Sequence, residues 1–118
     1  MLSFLPSQDD HTIAVEFEGK ATKEDAEKLD LQVNQKFGDK EKFNILAVMH
    51  DIEGTTLKGM TEGMKFDTKR WNQFRKFAVV SNKDWLETSA GIGSYLPGVT
   101  AEHFKKDQLD EAWQWIKN

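Results

Sequence analysis

The run Phe43 to Met49, F-N-I-L-A-V-M, is almost unbrokenly apolar, and a strand of that kind belongs inside a sheet covered on both faces. Its neighbours read differently. His11 to Glu18, H-T-I-A-V-E-F-E, alternates, with Ile13, Val15 and Phe17 on one side and Thr12, Ala14, Glu16 and Glu18 on the other, the pattern of a half-buried strand. The short apolar start Met1 to Leu5, stopped by Pro6, suits a hairpin partner for it at the edge of a sheet. Between the alternating strand and the apolar run, Ala26, Leu29, Val33 and Phe37 recur at helical steps, while Glu24, Glu27, Lys28 and Lys36 are left for water. Thr22 with Asp25 approximates a capping box at the start of that helix, and Gly38 suits the left-handed residue that ends it.

Beyond the apolar run, His50 and Asp51 mark a strand end. From Thr55 to about Lys69, Leu57, Met60 and Met64 share one helical face. Gly59 and Gly63 lie inside this helix and each costs about 1 kcal/mol relative to Ala, which makes it soft. Phe77 to Val80 is short enough for another buried strand, ended by Ser81 and Asn82. Lys83 to Tyr95, broken by Gly91 and Gly93, supports only a weak helix. After a turn at Pro97 and Gly98, Val99 to Phe104 reads as a last strand, and Asp107 is placed to cap a final helix with the stripe Leu109, Ala112, Trp113 and Ile116. This order predicts one α/β domain over residues 1–118, with a mixed, mostly parallel sheet of about five strands and about four flanking helices. Ligands of such sheets sit beyond the carboxyl ends of the strands, which directs attention to His50 to Glu53 and Ser81 to Asp84.

Composition narrows the chemistry. With 118 residues, 38% hydrophobic, the chain can bury a core without disulfides or metal. The absence of Cys removes thiol chemistry and is compatible with a cytoplasmic protein, and the start MLSFLPSQDD lacks the pattern of a secretory leader. No apolar run approaches the roughly 20 residues of a membrane span. A net charge of −4 argues against nucleic acid as partner. His11, His50 and His103 lack ligand spacing, so neither a metal nor a cofactor is expected. Gly54 to Gly59 and Gly91 to Ser94 fit no phosphate-loop pattern, and Ser81, Ser89 and Ser94 lack a nucleophile elbow. His50 beside Asp51 and Glu53 is where acid–base catalysis would sit, but polar residues at a strand end ordinarily satisfy backbone and cap the next helix.

Charge is uneven: the first 60 residues carry 7 basic and 12 acidic groups. Lys65 to Lys76, K-F-D-T-K-R-W-N-Q-F-R-K, then gathers Lys65, Lys69, Arg70, Arg75 and Lys76 around Phe66, Trp71 and Phe74, against the single acid Asp67. Interleaved cations and aromatics favour a membrane interface or an anionic head group. The plainer reading has the cations completing a helix C-terminus while Phe74, and with it Trp71, packs into the core.

Three phrases resemble the SpoIIAA-like family, small bacterial members of the STAS-like group: His50-Asp51-Ile52-Glu53-Gly54, Phe77-Ala78-Val79-Val80-Ser81-Asn82-Lys83-Asp84-Trp85, and Phe104 to Ile116, F-K-K-D-Q-L-D-E-A-W-Q-W-I. The resemblance spans nearly the full chain. It implies a mixed sheet flanked by helices, a fold shared with anti-sigma-factor antagonists and with CRAL-TRIO lipid carriers, and does not imply an enzyme. Anti-sigma antagonists carry a phosphorylatable Ser in a D-S-x-G-like loop; the corresponding stretch here is Asp51-Ile52-Glu53-Gly54-Thr55-Thr56. Asp is followed by Ile, which leaves Thr55 or Thr56 to take a phosphate at a position where Thr ordinarily caps a helix.

Two functions therefore compete. In the first, Leu57, Met60, Met64, Trp71, Trp85, Leu86, Ile92, Tyr95 and Leu96 line an apolar cleft for a small apolar or lipid-like ligand between two soft helices. Lys65, Lys69 and Arg70 would then hold an anionic head group or the inner face of a membrane. In the second, Asp51, Glu53, Thr55 and Thr56 form a loop that docks a protein partner, as the STAS resemblance suggests. A homodimer through the edge strand or the soft helices fits either.

Overall fold

The computed structural model describes residues 2–19, 23–38, 40–50, 72–81 and 99–118, excepting the side chains of Lys23 and Ala26. The apolar run forms β3 (Phe43–His50), the middle strand of a five-stranded sheet. On one side of it lie β2 (Thr12–Glu18) and, at the edge, β1 (Leu2–Leu5); on the other lie β4 (Phe74–Val80) and β5 (Thr100–Phe104). β1 pairs antiparallel with β2, as a hairpin requires, and the remaining strands are parallel. Helix α1 (Lys23–Phe37) connects β2 to β3, and α2 (Leu109–Lys117) follows β5 through a 3₁₀ turn, Lys106–Gln108. The expected helices over Thr55 to Lys69 and Lys83 to Tyr95 lie outside the described residues, as does Thr22.

Each sheet face has its own core. Ile13, Val15 and Phe17 meet Ile45, Ala47 and Met49, Phe77 and Val79, and the α1 stripe Leu29, Val33 and Phe37 on the first. Ala14, Leu46, Ala78 and Val80 meet Ala112, Trp113 and Ile116 of α2 on the second. This second cover corrects the reading of β2 as half-buried: Thr12 and Ala14 are buried too, and only Glu16 and Glu18 on that face reach water. Gly38 ends α1 with φ of +62° and donates its N–H to Asn34 O at 3.0 Å, the left-handed termination expected of it.

Strand β4 starts three residues before the apolar run Phe77 to Val80, and a bulge explains why. Phe43 pairs with Phe74 but Asn44 pairs with Lys76, so Arg75 is an extra residue in the ladder. Strict alternation would put Phe74 and Phe77 on opposite faces. The inserted residue resets the parity, and both rings enter the first core. There they continue a file of aromatic contacts, Phe37 to Phe43 at 5.7 Å, Phe43 to Phe74 at 5.1 Å and Phe74 to Phe77 at 5.9 Å between centroids. Gln73, buried, donates Nε2 to Gly38 O at 3.0 Å and to Glu41 O at 2.8 Å, tying the turn after α1 to the start of β4.

The C-terminal element begins differently from expectation. Asp107 lies within the 3₁₀ turn and does not cap α2, whose first residue is Leu109. The turn is closed instead by Lys105 N–H donating to Gln108 Oε1 at 2.9 Å. Leu109, expected in the buried stripe, is 38% exposed because it lies in the first turn of α2, while Ala112, Trp113 and Ile116 are buried. Phe74 packs into the core as expected, and Arg75 stays exposed.

Candidate functional site

Parallel strands bring their carboxyl ends to one margin of the sheet. Glu18 is level with His50, and Val48 with Val80. β3 ends at His50 and β4 runs into Ser81, so these neighbouring parallel strands end at one margin, ahead in the sequence of residues 51–71 and 82–98. The 3₁₀ turn before α2 starts from the same margin, because β5 ends there at Phe104, level with Val80.

Three charged or titratable side chains converge on the α2 face of that margin. Glu16 points to this face from β2, His50 from β3, and Lys106 arrives from the 3₁₀ turn. His50 Nε2 is 3.0 Å from Glu16 Oε2, and Nδ1 is 2.6 Å from Lys106 Nζ. An ammonium only donates, so Nδ1 is the bare nitrogen and accepts from Lys106; the ring proton is then on Nε2 and is donated to the Glu16 carboxylate. A neutral imidazole thus links a cation to an anion. Both ring nitrogens are engaged, and neither is presented to a substrate as a general base in this arrangement.

The next strand end is fixed by a second histidine. His103 Nε2 donates to Ser81 O at 2.7 Å, and Ser81 N–H donates to Phe104 O at 2.9 Å. Ser81 is 1% exposed. The point where the chain leaves β4 is therefore a buried, hydrogen-bonded anchor.

Of the residues singled out from sequence, His50 is within this cluster. Asp51, Glu53, Thr55, Thr56, Leu57, Met60, Met64, Lys65, Lys69, Arg70, Trp71, Trp85, Leu86, Ile92, Tyr95 and Leu96 all lie outside the described residues. Glu16 and Lys106 were missed as neighbours of His50. Glu16 was visible as an acidic residue near the carboxyl end of an alternating strand, but pairing it with His50 needs the register between β2 and β3. Among the described residues no group of three or more His, Asp or Glu is arranged to hold a metal ion, and no helix is long and apolar enough to cross a membrane.

The sheet order, with a leading antiparallel hairpin and α1 and α2 on opposite faces, coincides with a match of residues 12–117 to the family model described as SpoIIAA-like. The chain belongs to the SpoIIAA-like family. No curated protein matches it. This SpoIIAA-like chain is also similar to a crystal structure from Shewanella loihica PV-4, an uncharacterized protein of the DUF3478 family with a SpoIIAA-like fold. That similarity has a TM-score of 0.62 at 20% identity and covers 98% of this chain and 92% of the other. At that identity the likeness speaks for the fold alone.

Proposed function

We propose that this SpoIIAA-like protein is a non-enzymatic binding module that takes a small apolar or lipid-like ligand at the carboxyl margin of its sheet and associates peripherally with anionic membrane. The observation that carries this reading is the common origin of the two glycine-containing segments. Residues 51–71 and 82–98 depart from adjacent parallel strands, β3 and β4, at one margin, where ligands of open α/β sheets bind. Leu57, Met60 and Met64 fall in the first segment and Trp85, Leu86, Ile92, Tyr95 and Leu96 in the second. The base from which both depart is firm: His50 is held between Glu16 and Lys106, and Ser81 between His103 and Phe104. Lys65, Lys69 and Arg70 supply the charge for an anionic head group.

Native mass spectrometry after mild extraction, combined with flotation on vesicles with and without anionic lipid, tests the two halves. A co-purifying lipid or fatty acid is expected, as is flotation with anionic vesicles at low salt that is lost in the triple variant Lys65→Glu, Lys69→Glu, Arg70→Glu. Protein that is ligand-free and stays in the soluble fraction refutes both.

A protein-docking role is the second reading. It is favoured by His50, which precedes the Asp51 to Thr56 stretch in the sequence and is held beside Glu16 and Lys106. Loss of a specific pull-down partner in Thr55→Glu and Thr56→Glu, in a protein that carries no lipid and does not float with vesicles, would transfer the assignment to that loop.

A further inference from the structure

The amine of Lys106 and the imidazole of His50 are both mounted on fixed backbone. Lys106 begins the 3₁₀ turn, which is closed by Lys105 N–H on Gln108 Oε1 and by Gln108 N–H on Lys105 O, each at 2.9 Å. His50 ends a central strand whose pairing with β2 continues to Glu18, level with it. The turn and the strand together bring Lys106 Nζ to 2.6 Å from His50 Nδ1, while Nε2 is held 3.0 Å from Glu16 Oε2.

Amine, imidazole and carboxylate in this order form the arrangement by which a nucleophile is activated: a base within hydrogen-bond reach, and a third group that orients the base. An ammonium has no lone pair and cannot attack until a proton leaves it. Nδ1 is the bare nitrogen already in contact with such a proton. On taking it, the ring becomes an imidazolium whose Nε2–H stays on the Glu16 carboxylate, so the charge gained is met by an opposite one. The base therefore serves Lys106 and not a bound substrate.

Exposure selects the electrophile. Lysines that form imines with carbonyl compounds are desolvated in apolar pockets, whereas Lys106 is exposed, where water reverses an imine. An amide persists in water. The lasting product at such an amine is an amide, and its source is an activated acyl group.

We propose that Lys106 is an acylation site, accepting the acyl group of a small acyl phosphate or acyl thioester with His50 as base and Glu16 as its positioning residue. His50 Nδ1 takes one proton from the ammonium, and the freed lone pair of Nζ attacks the acyl carbon. The Nζ–C bond forms and the C–O bond to phosphate, or the C–S bond to thiolate, breaks with its electron pair on the leaving group. The second amine proton goes to that leaving group, and His50 returns its own to solvent. The product has lost the Lys106 charge. This inference stands apart from the apolar ligand and membrane reading above.

The folded full chain, incubated separately with acetyl phosphate and with acetyl-coenzyme A, tests the assignment by peptide mass spectrometry, with fragment ions resolving Lys106 from Lys105. Lys42 and Lys105 are internal controls, being exposed without an imidazole in hydrogen-bond reach among the described residues. Lys106 should acetylate about 10-fold faster than either control or more with at least one donor, and the donor that does so identifies the source. His50→Gln, whose amide oxygen still accepts from Lys106 but does not take its proton, should bring Lys106 down to the control rate, and Glu16→Gln should lower it part of the way. Lys106 reacting no faster than Lys105 with both donors, or a lead unchanged in His50→Gln, overturns the proposal.

Discussion

Lys76 binds the end of α2 to the start of β4: its Nζ donates to Trp115 O at 3.0 Å and lies 5.2 Å from the centroid of the Trp115 ring. A helix leaves its last carbonyls unpaired, and here a neighbouring strand supplies the donor. Lys76→Met keeps the aliphatic stem and removes the ammonium. A loss of about 1–2 kcal/mol is expected, measured as a lower urea midpoint at unchanged slope. An unchanged midpoint would mean that solvent satisfies the carbonyl equally well.

Phe43 is fully buried and stacks on both Phe37 and Phe74. Phe43→Ala should cost about 3–5 kcal/mol, and Phe43→Leu clearly less, because it preserves more of the buried volume. Equal losses in the two variants by denaturant titration would argue against packing as the cause.

Gly38 has a positive φ, yet a Cβ built on it would meet no atom within 4 Å. The penalty of Gly38→Ala is then purely a backbone one, about 1–2 kcal/mol, and Gly38→Asn should be milder because Asn visits the left-handed region more readily. Thermal unfolding of the two variants checks the order.

The link from Lys106 through His50 to Glu16 makes a spectroscopic prediction. Ring ¹⁵N shifts should show His50 protonated on Nε2 and bare on Nδ1; because the Glu16 carboxylate also holds the proton on Nε2, Lys106→Met alone should keep Nε2 protonated, and the double variant Lys106→Met, Glu16→Ala should release the preference. A dominant Nδ1–H form in the parent protein would contradict the arrangement. Stability should hardly move, by about 0–1 kcal/mol, since both members of the Glu16 and His50 pair are partly exposed, at 42% and 31%.

Much of the framework was legible in the chain itself. The unbroken apolar run named the central strand, the helical spacing of Leu29, Val33 and Phe37 named the face of α1, and Gly38 named its end. The start of β4 was obscured because a bulge breaks the two-residue period on which strand reading depends. Leu109 fitted the helical stripe by spacing, but spacing does not reveal that the first turn lies at the edge of the covered face. The meeting of Glu16, His50 and Lys106 depends on register between separate strands, which local patterns do not carry.

The outer strand has a further consequence through α1. Asp25 Oδ1 accepts Leu2 N–H at 3.2 Å, Lys28 Nζ donates to Leu2 O at 2.9 Å, and the same ammonium lies 5.5 Å from the Phe4 ring centroid. An exposed strand margin otherwise offers a template on which another polypeptide can zip up. With its opening amide and carbonyl already occupied by the protein's own helix, this border resists runaway stacking.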